Sequence, residues 1–177
     1  MKKLVLAAAA TCALLPAAAS AQDNDGGFTV AAVGGLDVIG LEADGEDEKE
    51  NGFLYGLAAG YDVIEGKTLF GLEAEATGTT ISDDIADAGL DLYGGVRLGY
   101  VISDEDTVYI KAGYTNVDVD LADNLEGIRV GAGYERNFGG LFGRLEYRYS
   151  NYNISDVLSY DANGNRHQVV AALGARF

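Results

Sequence analysis

Residues 143–150, GRLEYRYS, place charged and apolar side chains at alternate positions. Arg144, Glu146 and Arg148 carry the charges, and a carboxylate between two arginines suggests general acid–base chemistry. The alternation has a second consequence, because side chains two residues apart share one face of a β-strand. Whether these three groups could react therefore depends on whether their face meets water or the interior of the fold.

His167, the one histidine of the chain, is the second candidate for chemistry. Ser155 and Ser159 precede it, but no fixed spacing marks them as nucleophiles paired with a histidine base. An isolated histidine near the end of a strand is more often structural or interfacial than catalytic. The sequence therefore predicts no catalytic residue here.

The N-terminus has the form of a secretory signal peptide. Lys2 and Lys3 precede an apolar stretch, and Ala19-Ser20-Ala21 matches the small-residue site of signal peptidase. An uncleaved membrane anchor is the alternative, but Pro16 interrupts the run and alanine contributes little to insertion. We expect residues 1–21 to be removed, together with the single cysteine, Cys12, and residues 22–177 to form one domain.

The composition favours strands and turns over helices. The chain has 25 glycines, 1 proline and 17 tyrosines and phenylalanines, without tryptophan. Its net charge is −16, and loss of Lys2 and Lys3 with the leader makes the remainder more acidic. Because nucleic-acid binding requires a basic surface, nucleic acid is excluded as a partner.

Eight segments alternate with period two, and their two faces differ in chemistry. The segments are 27–38, 52–63, 69–77, 89–101, 108–115, 126–135, 141–149 and 165–177. Apart from Glu126, which opens the sixth segment, they contain seven acidic and seven basic residues, all on the face opposite the apolar side chains. Choosing the face freely in each segment uses eight of the fourteen placements, so the others agree by chance about once in 64 trials. The strand face is therefore polar but neutral, and the acidic excess lies in the connections.

Aromatic placement decides which face is inside. If odd-numbered segments run upward, six apolar-face rings lie at one rim: Phe28, Tyr61, Phe70, Tyr100, Tyr134 and Phe177. Five lie toward the other: Phe53, Tyr55, Tyr114, Tyr147 and Tyr149. Two aromatic girdles around an aliphatic band are typical of a barrel that crosses a bilayer, whereas a soluble barrel or sandwich would bury its apolar face. The predicted fold is all-β, an eight-stranded antiparallel up-and-down transmembrane β-barrel with its charges in the lumen.

Several motifs carry a resemblance to a known family: YGLAAGYDV, FGLEAEATG, GVRLGY, GIRVGAGYE, LEYRYSNY and the ending HQVVAALGARF. The chain resembles the small eight-stranded outer-membrane barrels, grouped as OmpA-like, OmpX-like and opacity-type porin-family proteins. The resemblance implies the outer membrane of a Gram-negative bacterium, periplasmic termini, a monomer and no cofactor. It also implies that Phe177, with Leu173 and Ala175, is read by the barrel-assembly machinery, and that outer-membrane lipid and lipopolysaccharide surround the barrel.

Within this fold, eight charged residues are predicted to form an ion-pair network that closes the lumen: Glu73, Glu75, Arg97, Lys111, Arg129, Arg144, Glu146 and Arg148. An unpaired buried charge is costly, so the equal numbers of acids and bases favour pairing. The expected function is non-enzymatic, either in envelope integrity or in surface interaction with an extracellular partner that the sequence does not identify. A narrow ion-conducting pore and, less favoured, a lipid-modifying enzyme are the alternatives.

The long connections are strongly acidic. Solvated surface charge is the simplest interpretation, and a divalent cation shared with lipopolysaccharide phosphates is the sharper one. The residues that would bind it are Glu46, Glu48, Asp118, Asp120 and Asp123. Their spacing is not that of an EF-hand, so no metal site is firmly predicted.

Overall fold

The protein forms a closed antiparallel β-barrel of eight strands in a computed structural model that describes residues 26–43, 46–80, 88–119, 125–153 and 163–177. The strands are β1 (Gly26–Ala43), β2 (Glu46–Glu65), β3 (Thr68–Thr79), β4 (Ala88–Val101), β5 (Asp106–Val119), β6 (Leu125–Asn137), β7 (Leu141–Asn153) and β8 (Asn163–Arg176). Each strand pairs with its neighbours along the chain, and β1 pairs with β8 to close the barrel. The predicted fold and all eight predicted strands are confirmed.

The strands extend further than the alternating segments predicted. The ladder between β1 and β2 continues from Val38 and Asn51 to Ala43 and Glu46. The prediction of a loop at 39–51 is therefore wrong for most of these residues, which belong to the two strands. β5 and β7 likewise extend into predicted connections, to Val119 and Asn153. Backbone pairing does not require an apolar face, so polar sequence can continue a ladder beyond the bilayer.

The outer face of the barrel is apolar and the inner face is charged, as expected for a barrel whose outer surface contacts a bilayer. Large apolar side chains point outward and are exposed, for example Leu72, Val96, Ile110 and Leu173. The alternate positions point into the lumen, where charged side chains such as Glu73, Arg129 and Glu146 are buried. The prediction that the polar face is the inner one is therefore confirmed. No helix in the described part of the chain is long and apolar enough to cross a membrane.

The two ends of the barrel are named here by their connections. The turn end carries the short connections 66–67, 102–105 and 138–140 together with Gly26 and Phe177, and the loop end carries the other four. Gly66 has a φ of 63°, a left-handed conformation that glycine adopts without the strain of a Cβ atom. At the same end the backbones of Phe28 and Phe177 bond to each other in both directions, at 3.1 and 2.8 Å, and complete the closure.

Both predicted aromatic girdles are present on the outer surface. The six rings at the turn end are exposed, and Phe28 packs edge-on against Tyr61 with ring centroids 5.2 Å apart. At the loop end Phe53, Tyr55, Tyr114 and Tyr147 are exposed and Tyr149 is half-buried. Rings with a polar tip suit the interface between hydrocarbon and headgroups, so the girdles mark the two edges of the bilayer.

Candidate functional site: the charged lumen

The fourteen charges that the alternation assigns to the inner face meet in the lumen. Thirteen are buried, and Arg176, beside the C-terminus, is half-buried. The acids are Asp37, Asp62, Glu73, Glu75, Asp91, Glu135 and Glu146; the bases are Arg97, Lys111, Arg129, Arg144, Arg148, Arg166 and Arg176. Strand alternation explains this placement, because each residue has the inward parity of its strand.

Toward the turn end, Glu73 is shared by three cations. Its oxygens accept from Lys111 Nζ at 2.6 Å, from Arg144 Nη1 at 2.6 Å and from Arg97 Nη1 at 3.4 Å. Glu135 bridges three arginines in the same way, with Arg144 Nε and Arg176 Nη2 each at 2.5 Å. Several cations around each carboxylate offset the cost of removing it from water.

Glu146 lies at the mid-height of the lumen and is fully engaged. Arg148 Nε donates to its Oε2 at 2.6 Å, Lys111 Nζ lies 3.2 Å from the same oxygen, and the Tyr109 hydroxyl donates to Oε1. Arg148 also donates hydrogen bonds to Glu75 from both of its terminal nitrogens, at 2.8 and 2.9 Å. A bidentate contact of this kind sets the orientation of the arginine side chain and also stabilises its charge. The carboxylate between two arginines in GRLEYRYS is thus one member of a salt-bridge cluster.

Toward the loop end, four charges form a smaller group. Asp91 accepts from Arg129 Nη2 at 2.5 Å and from Arg166 Nη1 at 2.7 Å, and Arg166 Nε also donates to Asp37 at 2.8 Å. Thr115 donates to the remaining Asp91 oxygen at 2.6 Å. The Thr115 hydroxyl therefore supplies a contact to Asp91 of the kind that a further cation supplies to the carboxylates nearer the turn end.

We call these four residues, Asp37, Asp91, Arg129 and Arg166, the loop-side quartet and the other ten charges the central cluster. Each set is neutral by itself. Among the described ion pairs, one joins them: Arg129 Nη1 lies 3.9 Å from Glu75 Oε2. This contact makes the fourteen charges a single chain of ion pairs through the lumen.

Inward glycines make room for two tyrosine rings beneath the cations. Arg97 stacks over Tyr109 at 4.2 Å from its centroid, and Lys111 lies 4.7 Å from that of Tyr93. A Cβ atom at Gly133 would lie 2.6 Å from the Tyr109 ring, closer than packing allows. The cation–π contacts add to the ion pairs, so ring and salt bridge together fill the lumen.

A model of the outer membrane protein beta-barrel domain matches residues 5–177. The chain belongs to this family. Membership indicates the outer membrane of a Gram-negative bacterium as the location of the protein. No curated protein matches it by sequence.

Solved structures agree with the family at the level of the fold. Neisserial surface protein A (NspA) is 17% identical with a TM-score of 0.59, and the match covers 85% of this chain and 97% of that one. Ail, the attachment invasion locus protein of Yersinia pestis, is 13% identical with a TM-score of 0.52 over 84% of this chain and 98% of that one. The outer membrane enzyme PagL is 15% identical with a TM-score of 0.50 over 85% and 99%. At these identities the likeness shows the fold alone, and the fold is shared by an enzyme and by surface proteins.

The structure brings together all eight residues predicted for the lumen. Six further members belong with them: Asp37, Asp62, Asp91, Glu135, Arg166 and Arg176. The same parity argument places these six on the inner face, so the signal was present in the sequence. The sequence did not indicate the partners, because pairs such as Arg148 and Glu75 come from strands far apart in the chain.

The remaining predicted residues lie elsewhere. Leu173 points outward and is exposed, and Ala175 and Phe177 follow it to the end of the chain, so their role in barrel assembly stays a prediction. Glu46 and Glu48 lie in β2 and Asp118 in β5, which corrects their assignment to loops, while Asp120 and Asp123 lie outside the described residues. The described residues contain no cluster of side chains suited to a metal ion. Cation binding by the acidic segments therefore also stays a prediction.

His167 lies on the outer surface near the loop end, as predicted. Its Nδ1 is 2.7 Å from the Tyr147 hydroxyl, and the Tyr149 ring lies 5.1 Å from its own ring, measured between centroids. Ser155 and Ser159 lie outside the described residues. The histidine is thus separated by the barrel wall from the charged lumen, and the two sites can be tested independently.

Proposed function

We propose that the protein is a non-enzymatic outer-membrane barrel with a closed lumen, which strengthens the envelope and presents its loops to the exterior. The loop end faces outward, and the turn end, with both termini, faces the periplasm. The observation that carries the proposal is the unbroken chain of ion pairs that connects all fourteen lumen charges. Lipopolysaccharide is the expected neighbour in the outer leaflet, and the barrel is expected to act as a monomer.

The closed lumen is supported by charge balance within each part of the chain of ion pairs. A permeating ion would have to separate buried partners such as Lys111 from Glu73 and Glu75, which it contacts at 2.6 and 2.5 Å. Separating a buried pair leaves charges uncompensated and costs about 3–5 kcal/mol. This cost opposes the passage of ions as long as the lumen side chains keep these positions.

Planar-bilayer recording tests this closure directly. The purified, folded barrel should produce no unitary currents, whereas a variant that shortens two central side chains, Glu73→Ala with Arg144→Ala, should conduct. A matched control with two lipid-facing truncations, Leu72→Ala with Leu145→Ala, should stay silent. Regular unitary currents from the native protein would refute the closed lumen.

The envelope role requires a test in cells. A deletion strain should become more permeable to detergents and large antibiotics, and expression of the native barrel should restore the barrier. Complementation with the Glu73→Ala, Arg144→Ala barrel separates closure from mere presence of the protein. Unchanged permeability and unchanged surface adhesion in the deletion strain would count against both forms of the proposed function.

A narrow pore is the second candidate, favoured by one observation. The quartet and the central cluster are joined by a single 3.9 Å contact between Arg129 and Glu75. A rearrangement at this junction would open the lumen at lower cost than one within either set. The same bilayer experiment decides between the two functions, with native currents supporting the pore.

A lipid-modifying activity is the least favoured candidate. Its support is the location of His167 at the outer surface and the fold that the chain shares with the outer membrane enzyme PagL. An assay for release of acyl chains from lipid A, comparing the native barrel with His167→Ala, tests it. We expect no release from either protein.

A further inference from the structure

The lipid-facing surface carries a polar patch near the loop end of β7 and β8. We call Tyr147, Tyr149, Asn151, Asn165 and His167 the amide patch. Its members point outward and are connected: the Tyr149 hydroxyl and Asn151 Nδ2 both donate to Asn165 Oδ1, at 2.7 and 3.0 Å, beside the bonded pair of Tyr147 and His167. Polar groups on a surface that faces lipid are costly unless they have partners.

An aromatic girdle alone does not account for this patch. The girdle at the turn end is built from Phe and Tyr rings, and beyond it Arg136 pairs with Glu105 at 2.6 Å in the adjoining turn. On the loop side of β2, Phe53 and Tyr55 are likewise rings without a bonded amide group in the described structure. Rings are thus common to both rims, whereas the bonded amides and imidazole are concentrated on β7 and β8.

The internal bonds leave the patch with free hydrogen-bonding capacity. Asn165 Oδ1 is occupied by two donors, yet no described side chain pairs with Asn165 Nδ2 or Asn151 Oδ1. The imidazole uses Nδ1 towards Tyr147, so its second nitrogen remains for an external partner. One donor and one acceptor beside aromatic rings match a ligand that has both hydroxyl groups and an apolar face.

A groove of about 360 Å³ continues the patch onto β5 and β6. Tyr149 and Asn151 form one wall, and Tyr114, Glu126 and Ile128 form the other. The Glu126 carboxylate already accepts a hydrogen bond from the Tyr114 hydroxyl. Its remaining acceptor positions suit the hydroxyl groups of a ligand, whereas its charge repels phosphate. Among the described outward residues in the loop half of β5 to β8 there is no Lys or Arg to attract an anion.

From this geometry we propose that the amide patch and its groove bind the sugar headgroup of a glycolipid in the outer leaflet. Ring faces of Tyr147 and Tyr149 stack on the apolar face of a sugar, and Asn151, Asn165 and Glu126 bond its hydroxyl groups. The acyl chains then lie along the apolar wall below. The inference rests on the proposed orientation, with the loop end outward, but not on the envelope role or on the closed lumen.

Native mass spectrometry of the folded barrel, released from a detergent without sugar, tests the proposal. The probe is monophosphoryl lipid A, titrated in EDTA so that divalent bridges to the acidic segments are absent. Phosphatidylglycerol and free glucosamine disaccharide serve as comparison ligands. We expect the native barrel to bind lipid A in preference to phosphatidylglycerol, and the free sugar only weakly because it lacks acyl chains.

The double variant Asn151→Leu, Asn165→Leu should bind lipid A at least about fivefold more weakly, because one lost neutral hydrogen bond corresponds to roughly that factor. Asn51→Leu is the matched control: it is the same substitution on an exposed residue of β2, and it should leave binding unchanged. Both variants should fold, as heat-modifiable gel migration reports, since leucine suits a lipid-facing position.

Several results would overturn the proposal. They are equal binding of lipid A and phosphatidylglycerol by the native barrel, unaltered binding by the double variant, or the same loss in Asn51→Leu. The test uses purified protein, so it can fail while the deletion phenotype stands, and it can succeed while the phenotype is absent.

Discussion

The central cluster and the loop-side quartet stabilise their buried charges in different ways. In the central cluster every carboxylate contacts at least two cations, and Glu73, Glu75 and Glu135 each contact three. In the loop-side quartet Asp91 contacts two cations, whereas Asp37 contacts one, Arg166. Neutral side chains supply further hydrogen bonds there, from Thr115 to Asp91 and from Arg129 to Ser150. The central cluster extends from the middle of the lumen to Arg176 near the turn end, whereas the quartet lies near the loop end.

This difference teaches how position along the barrel sets the requirement for pairing. A charge deep in the lumen is stabilised by redundant partners, because water cannot replace one that is lost. The quartet is equally buried, and there hydrogen bonds from neutral side chains replace additional cations. The following predictions test this contrast, beginning with the largest expected effect.

Glu73→Ala should be the most damaging single substitution. It removes the shared partner of Lys111, Arg144 and Arg97 and leaves one uncompensated positive charge, which lowers the free energy of unfolding by about 3–5 kcal/mol. Urea unfolding in detergent micelles measures the change. Leu72→Ala, at the exposed neighbouring position, serves as the control; an equal loss there would contradict the importance of the cluster.

Glu146→Ala should have the next largest effect. This change also leaves one excess positive charge, but Lys111 and Arg148 keep Glu75 as a partner while Tyr109 loses its acceptor, so a smaller loss of about 1.5–3 kcal/mol is expected. The same unfolding experiment measures it. A change in envelope permeability without a change in stability would instead indicate a functional role for this carboxylate.

Asp37→Asn should cost less than either glutamate substitution. Asparagine can still accept a hydrogen bond from Arg166, which keeps Asp91 as its charged partner, so a loss of about 1 kcal/mol is expected. Chemical denaturation measures the change beside Glu73→Gln, the equivalent exchange in the central cluster. If Asp37→Asn proves the more damaging of the two, the proposed gradient along the barrel is wrong.

A pair of double-mutant cycles tests the junction itself. Arg129 and Glu75, 3.9 Å apart, should show a coupling energy within about 0.5 kcal/mol of zero. Arg148 and Glu75, joined by two hydrogen bonds, should couple by about 1–3 kcal/mol. Comparable coupling in both cycles would mean that the quartet and the central cluster act as one unit.

The smallest effect is expected at the acidic segments. If Glu46, Glu48, Asp118, Asp120 and Asp123 bind calcium, millimolar Ca²⁺ should raise the thermal midpoint of the native barrel by a few degrees. A variant with all five changed to Asn or Gln should lose this response. Lack of a calcium response in the native protein would leave these residues as solvated surface charge.

Most of the fold could be predicted from local pattern. Period-two alternation located all eight strands, and the parity of each charged residue assigned its face, including six lumen residues that were not selected as site members. The ends of the strands could not be predicted, as Glu46 and Ala43 show, because ladder hydrogen bonds depend on backbone pairing and not on side-chain type. The amide patch was also missed, since Asn151 and Asn165 are paired across two strands.

The sequence by itself determined the number of strands, the face that each charge occupies and the equality of acids and bases. Those properties depend on periodicity and composition, which are local or additive. Only the tertiary structure decided which charges pair, that they divide into a cluster of ten and a quartet, and where the two sets meet. Barrel closure brings β3, with Glu75, against the side chains of β5, β6 and β7 across the lumen, and no spacing along the chain encodes those distances.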